Sequence, residues 1–312
     1  MGTIRAICIS ERRGTKKECV GEAFLIESFG IKNDAHAGHW HRQVSLIADE
    51  KIQAFKQKGG AVIDYGVFGE NIVVAGIDLR TLPVGSLLRC GSAVLEITQI
   101  GKECHDRCAI YHTMGDCIMP REGVFAQVIE GGTIKVDDTI NVIERTEKRP
   151  YQAAVITLSD RCASGECTDL SGAVIQKRLA EQGYTIAEAL IIPDEKEMLK
   201  QHFIRLADMR QLDLILTTGG TGFAARDITP EATLEIATRN APGIAEAIRA
   251  YSLSITPKAM LSRAASVIRG RTLIVNLPGS PKACAQCLDY VMETLPHALE
   301  LLRNDVVDCG DT

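Results

Sequence analysis

The feature that most constrains this chain is an abrupt change of texture across residues 142–152. Before it run short β-type segments punctuated by glycine, at residues 3–10, 23–28, 44–48, 71–74, 87–90, 93–100, 124–129 and 133–136, interrupted by one helical stretch at 49–58. Many short strands at close spacing can bury one face each only in a barrel or sandwich. After it, apolar runs at 153–158, 186–192, 212–217 and 272–276 alternate with amphipathic stretches at 172–182, 196–209, 230–238 and 281–302. That alternation predicts a mostly parallel sheet covered by helices on both faces, a three-layer α/β arrangement. Between the two halves, Glu144-Arg145-Thr146-Glu147-Lys148-Arg149-Pro150 reads as a linker. The expectation is two domains, residues 1–145 and 151–312.

Composition removes several function classes. A net charge of -5 and a pI near 5.9 leave no basic field for nucleic acid or a membrane surface, so anion binding must be local. No apolar run approaches the roughly 20 residues that cross a bilayer, and the opening residues lead into a strand-like pattern rather than a signal peptide, so a cytoplasmic location is expected. The eleven cysteines are odd in number and lack an export signal, so free thiols are the expectation.

In an open α/β sheet, ligands bind beyond the carboxyl ends of the strands. Three such ends carry polar, glycine-rich loops. The first has Ser159, Asp160 and Arg161, then Asp169, Ser171 and Gly172 at a helix start. The second runs Thr217-Thr218-Gly219-Gly220-Thr221-Gly222-Phe223-Ala224-Ala225-Arg226-Asp227, and the third Leu277-Pro278-Gly279-Ser280-Pro281. Glycines let backbone N–H groups surround phosphate oxygens. Thr229 before Pro230 and Ser280 before Pro281 read as caps that would turn positive helix ends toward the loops. The long loop lacks the Lys-Ser/Thr of a P-loop and the spacing of a dinucleotide fingerprint.

These loops, with Ile192-Pro193-Asp194-Glu195, Arg226-Asp227-Ile228-Thr229-Pro230-Glu231 and Pro242-Gly243-Ile244-Ala245-Glu246, resemble the molybdopterin-binding domain of the bacterial molybdopterin adenylyltransferases over residues 152–304. The resemblance implies transfer of AMP from ATP to molybdopterin with release of pyrophosphate. It implies a catalytic, Mg²⁺-holding role for Asp194 and Asp227, carboxylates being hard ligands. It places Ser159, Asp160, Asp169, Ser171, Gly172, Thr218, Gly219, Gly220, Thr221, Gly222, Pro278, Gly279 and Ser280 around nucleotide and pterin, Arg226 on phosphate, and Glu246 toward the pterin ring. It also implies a homotrimer.

In the first half, Cys104, His105, Cys108 and Cys117 crowd one segment, and thiolates suit thiophilic centres. A structural zinc site is the rival reading, weakened by the lack of a second paired-cysteine knuckle. His36, His39 and His41 invite a metal reading too, with alternation putting the last two on one strand face. Asn33-Asp34-Ala35-His36-Ala37-Gly38, His41-Arg42-Gln43-Val44-Ser45-Leu46, Phe68-Gly69-Glu70-Asn71-Ile72, the Cys104 to Cys108 stretch and Gly115-Asp116-Cys117-Ile118-Met119-Pro120-Arg121-Glu122 resemble a MOSC domain over residues 3–143. That family's β-rich fold binds molybdenum cofactor or carries sulfur on an essential cysteine. Cys108 is the candidate, as catalytic group and molybdenum ligand, with His36, Arg42, Asn71, Cys104, Cys117 and Arg121 on the binding face. A sulfur donor or a molybdenum-inserting protein would be the partner. A non-catalytic carrier of molybdopterin is the alternative function, and a pyrophosphatase-type relative ranks below it. Cys284 and Cys287, spaced C-x-x-C inside a helical pattern, read as core rather than redox residues.

Overall fold

Short strands with one apolar face can hide that face by curling the sheet shut. The computed structural model describes residues 1–59, 63–103, 111 and 115–303, and the chain divides into two compact units, Met1–Lys148 and Arg149–Thr312. The first unit contains β1 (Gly2–Ile9), β2 (Glu18–Val20), β3 (Glu22–Ile26), β4 (Gly30–Ile31), β5 (Val44–Ala48), β6 (Ile72–Ala75), β7 (Leu87–Cys90), β8 (Ala93–Ile100), β9 (Val124–Glu130), β10 (Gly132–Lys135) and β11 (Thr139–Ile143). Seven of them close a ring in the order β1, β6, β5, β9, β8, β7, β11, with β11 returning to β1 through Thr3 and Thr139. The β5–β6 pair is parallel. β2 adds to the free edge of β1, and β10, β3 and β4 form a separate small sheet.

The period of two sorts the barrel's residues into two cores. Leu46, Val74 and Ala126 point inward with Ile4, Leu88, Leu95 and Ile140. Their neighbours Ile47, Val73 and Phe125 point outward and pack with Ile52 of the helix Asp49–Gly59 and with Phe68 and Cys117.

In the second unit, β12 (Gln152–Leu158), β13 (Thr185–Ile192), β14 (Leu214–Thr218), β15 (Arg239–Asn240), β16 (Ser266–Arg269) and β17 (Thr272–Leu277) take the order β13-β12-β14-β17-β16-β15. The four strands β13, β12, β14 and β17 run parallel; β16 and β15 add on antiparallel. Alternation again makes two faces. Val155, Leu216 and Val275 pack against Ile175 of the helix Leu170–Glu181 and Leu288 of the helix Pro281–Val291. Ile156, Ile215 and Ile274 pack against Phe203 of the helix Lys196–Ile204 and Ala232 of the helix Thr229–Glu235.

Local chemistry explains where the elements depart from periodicity. The stretch 281–302 is two helices, Pro281–Val291 and Leu295–Arg303, because Pro296 lacks an N–H to continue the first one. A further helix, Pro242–Leu253, lies outside the amphipathic stretches read from the sequence; it buries Ala245 and Ile248. Thr229 is not a cap but the first helical residue, and its hydroxyl donates to the Gly219 carbonyl at 2.9 Å. Ser280 does cap, accepting from the Ala283 N–H. Two cysteines are not free thiols: Cys162 and Cys167 form a disulfide in the loop after β12, where the chain returns on itself. Among the described residues no helix is long and apolar enough to cross a membrane.

A buried ion pair anchors the second unit's first and last segments. The Arg303 guanidinium donates to both Asp213 oxygens at 2.7 Å and to the Arg149 and Pro150 carbonyls, and lies 4.4 Å from the Tyr151 ring. Arg149 and the Gln152 N–H also donate to Asp213. Removing one member of such a pair leaves charge uncompensated in a dry site, typically costing about 3–5 kcal/mol. Asp213→Ala should therefore lower the second unit's unfolding transition, seen by circular dichroism, by roughly that amount. Fluorescence of Trp40, the single tryptophan, should report an unchanged first unit.

Candidate functional site

Parallel register brings the strand ends level. Leu158 pairs with Ile192, Thr157 with Thr218, and Thr218 with Leu277, so Ser159, Asp194, Gly219 and Pro278 leave the sheet along one edge. Side chains then clasp the loops. The Thr218 hydroxyl donates to the Pro278 carbonyl at 2.7 Å and that of Ser171 to the Gly279 carbonyl at 2.8 Å. Asp169 caps its helix by accepting from the Gly172 N–H at 2.8 Å while its other oxygen takes the Thr157 hydroxyl at 2.6 Å. These contacts hold the edge of a cleft of about 280 Å³, lined by Ser159, Cys162, Thr168, Asp169, Gly219 and Gly279.

The turn out of β14 is made by two residues in the left-handed region. Gly219 has φ +94 and Gly220 φ +63; a Cβ would lie 2.2 Å from the Leu158 carbonyl oxygen at the first and 2.5 Å from Thr229 Oγ1 at the second. Only glycine fits both positions. The same absent Cβ at Gly220 would stand 3.3 Å from Asp194 Oδ1, so Asp194 reaches directly over the loop.

Around it lie the other charged groups. Asp160 and Asp194 exchange hydrogen bonds, each backbone N–H donating to the other's carboxylate at 3.3 and 3.1 Å. Arg226 donates to Asp160 at 2.8 Å, and this hydrogen bond holds the Asp160 carboxyl below its ordinary range. Asp194 moves the opposite way: burial, reinforced by the charges of Asp160 and Asp227, raises its pKa against a hydrogen bond from the Asp160 N–H. Asp227 accepts the Ala224 N–H at 2.8 Å and so shapes the loop's end. Among the described residues no three His, Cys, Asp or Glu side chains are gathered to hold a metal ion by themselves.

Arg263 was missed by sequence reasoning. Its guanidinium donates to the Gly222 carbonyl at 2.6 Å, to the Asp227 carbonyl and to Glu231, while its N–H donates to the Thr221 carbonyl at 2.9 Å. It thus binds the far end of the glycine loop from inside and lines a second cleft of about 420 Å³ with Phe223, Ala224, Asp227 and Glu231. No local pattern marks it, because its side-chain partners stand 32 to 41 positions away. Glu246 stays apart from this set: it is exposed on the helix Pro242–Leu253 and lines neither cleft.

With that geometry in place, comparison with known proteins is decisive. Residues 154–297 match the family model described as a probable molybdopterin binding domain, and residues 33–141 match the MOSC domain. A molybdopterin adenylyltransferase of Helicobacter pylori is 42% identical over 159 residues, covering 50% of this chain and 90% of the relative. The enzyme of that name from Escherichia coli is 37% identical over 168 residues, covering 49% and 86%. A solved structure of the molybdopterin biosynthesis enzyme MoaB from Thermus thermophilus is 45% identical, with a TM-score of 0.48, covering 49% of this chain and 97% of that one.

The chain belongs to the molybdopterin-binding family. Its first half carries a MOSC domain.

In the MOSC domain, Cys104 and Cys108 lie outside the described residues, so the fold gives no environment for them. His36 is partly exposed above a buried ion pair: the Lys17 ammonium touches Asp34 at 2.5 Å and His36 Nδ1 at 3.2 Å. Burial works against the Asp34 charge, yet the hydrogen bonds from His36 and Lys17 hold its pKa below the ordinary carboxylate range. Arg42 lies over the Trp40 ring at 4.9 Å and over Phe125 at 5.6 Å. The remaining candidates take up separate settings. Asn71 is 1% exposed, and its amide donates to the Cys8 carbonyl and accepts from Ser45, bracketing β1 and β5. Cys117 is buried in the cluster under the helix Asp49–Gly59, while Arg121 is exposed and paired with Asp116 at 2.6 Å. His39 and His41 sit in turns rather than on one strand face, reaching the Ser28 carbonyl and Gln99 respectively.

Asp194 gives a pH signature. Its folded pKa lies above the unfolded one, so ionised Asp194 opposes folding above the raised pKa, and the penalty fades as pH falls through it. Asp194→Asn should therefore be the more thermostable protein at neutral pH. The difference from the unsubstituted chain should close as pH falls through the carboxylate range, as followed by Tm against pH.

Proposed function

We propose that the second unit is a molybdopterin adenylyltransferase that moves AMP from ATP to the terminal phosphate of molybdopterin. The observation that carries this reading is the placement of Asp194 over the left-handed turn Gly219–Gly220, with clefts at both ends of the same loop. Two anionic reactants need to be brought together there. A phosphate oxygen of molybdopterin attacks the α-phosphorus of ATP, a new P–O–P bond forms, and the bond to pyrophosphate breaks. Such chemistry asks mainly for positioning and charge neutralisation.

The loop supplies backbone N–H donors beside Gly219 and Gly220, and Arg226 supplies the nearby mobile cation, being exposed and tethered to Asp160. Burial, reinforced by the charges of Asp160 and Asp227, raises the Asp194 pKa, and that gathering of carboxylates suits a divalent cation arriving with the nucleotide. Mg²⁺ would be held by Asp194 and Asp227 together with substrate phosphates and would neutralise the charge on the departing pyrophosphate. Asp169, Ser171 and Ser280 support the loops rather than the reactants, since their side chains are engaged in the fold.

For the first unit we infer a role in binding molybdenum cofactor or carrying sulfur, with Cys108 as the reactive thiol and a sulfur donor or molybdenum-inserting protein as partner. The exposed apolar residues Leu253, Ile255, Met260 and Leu261 suit self-association of the second unit, which the resemblance implies is a homotrimer.

Incubation with molybdopterin and MgATP should release pyrophosphate and yield adenylylated molybdopterin; tight binding without pyrophosphate would instead establish a carrier. Asp194→Asn should cut kcat by roughly 10²–10³-fold with little change in molybdopterin affinity. Gly220→Ala should abolish both binding and turnover. Its Cβ would collide with Thr229 Oγ1, and its left-handed φ is strained for alanine.

A further inference from the structure

Outside both clefts, the clearest unassigned cluster of reactive groups lies where β2 meets β1. Cys8 and Cys19 are direct cross-strand partners in this antiparallel pair, flanked by Ile7 opposite Val20 and Ile9 opposite Glu18. Their sulfurs stand 3.2 Å apart and both are free thiols. Facing residues in an antiparallel pair have Cα atoms about 4.5–5.5 Å apart, inside the span a disulfide needs, so a bond can form without moving the backbone. The two thiols differ in access: Cys8 is fully buried between the barrel and the helix Asp49–Gly59, whereas Cys19 is exposed on the three-residue edge strand.

We propose that Cys8 and Cys19 are a reversible dithiol–disulfide couple that exchanges with low-molecular-weight disulfides, Cys19 reacting first as the nucleophile and Cys8 resolving. The Cys19 thiolate attacks one sulfur of R–S–S–R, forming Cys19–S–S–R and releasing RS⁻. The Cys8 sulfur then attacks Cys19 Sγ, its proton passing to the departing RS⁻. The sum is two protein thiols plus R–S–S–R giving one Cys8–Cys19 disulfide plus two RSH. Burial and the neighbouring Cys19 push the Cys8 thiol well above its ordinary pKa, which matches the order of attack. Lys17, two residues before Cys19, carries the ammonium that pairs with Asp34 and contacts His36, so the bridge would pin β2 beside that charged trio.

The full chain would be equilibrated in glutathione buffers from reducing to oxidising, acid-quenched, alkylated and peptide-mapped, which separates this pair from Cys162–Cys167. The expected result is a Cys8–Cys19 cross-linked peptide that carries no glutathione and is lost on adding dithiothreitol. Cys8→Ser should instead trap glutathione on Cys19, and Cys19→Ser, a change at the surface, should leave Cys8 unmodified. Recovery of Cys8 and Cys19 as separately alkylated peptides from the oxidised unsubstituted protein would overturn the proposal, as would a lasting glutathione adduct on its Cys19. Those two results need no variant to fold.

Discussion

A carbonyl oxygen and a hydroxyl occupy the space where side chains at residues 219 and 220 would begin. The chain can therefore turn out of β14 only with two glycines in left-handed backbone, and the rest of the site follows from that turn. It drops the loop close enough to β12 for Asp194 to stand over it and for Thr229 to tie its helix back to the Gly219 carbonyl. Thr218 and Ser171 then fasten the neighbouring loop through its Pro278 and Gly279 carbonyls. A bulkier residue at either glycine would displace several loops at once, because the interior they rest on is too close-packed to yield.

Charge within this edge is arranged against the whole-molecule balance. A net-acidic protein has to bind anions through local donors, and the loop offers backbone N–H groups rather than a field of lysines. Its cations are used selectively. Arg263 is consumed inside the loop as a brace, while Arg226 stays exposed on Asp160. Asp194 is held above its ordinary range by burial and by the charges of Asp160 and Asp227, and functional sites tolerate such a perturbed group when a ligand relieves it.

The barrel unit shows the same economy of buried polarity in another form. Asn71 brackets β1 and β5 with its side-chain amide, and Lys17 is buried only because Asp34 and His36 receive its ammonium. Polar groups inside such a fold persist when each has a partner. The adjacent Cys8 and Cys19 are brought together by strand register alone.

Local pattern determined much of this protein. Many short β-type runs punctuated by glycine specified a barrel or sandwich, and apolar runs alternating with amphipathic stretches specified the covered sheet. The change across residues 142–152 marked two units, and the spacing of Gly219, Gly220, Asp227, Asn276 and Pro278 carried the family. Tertiary structure decided the rest, because those outcomes depend on which groups the folded chain brings together. Nothing near Arg263 announces a brace, nothing near Asn71 says that its amide is already spent, and Cys162 and Cys167 read as two thiols until the loop folds back. Each of these is a matter of which group fills a hydrogen bond or occupies a contact once the chain has folded, and sequence pattern does not encode that.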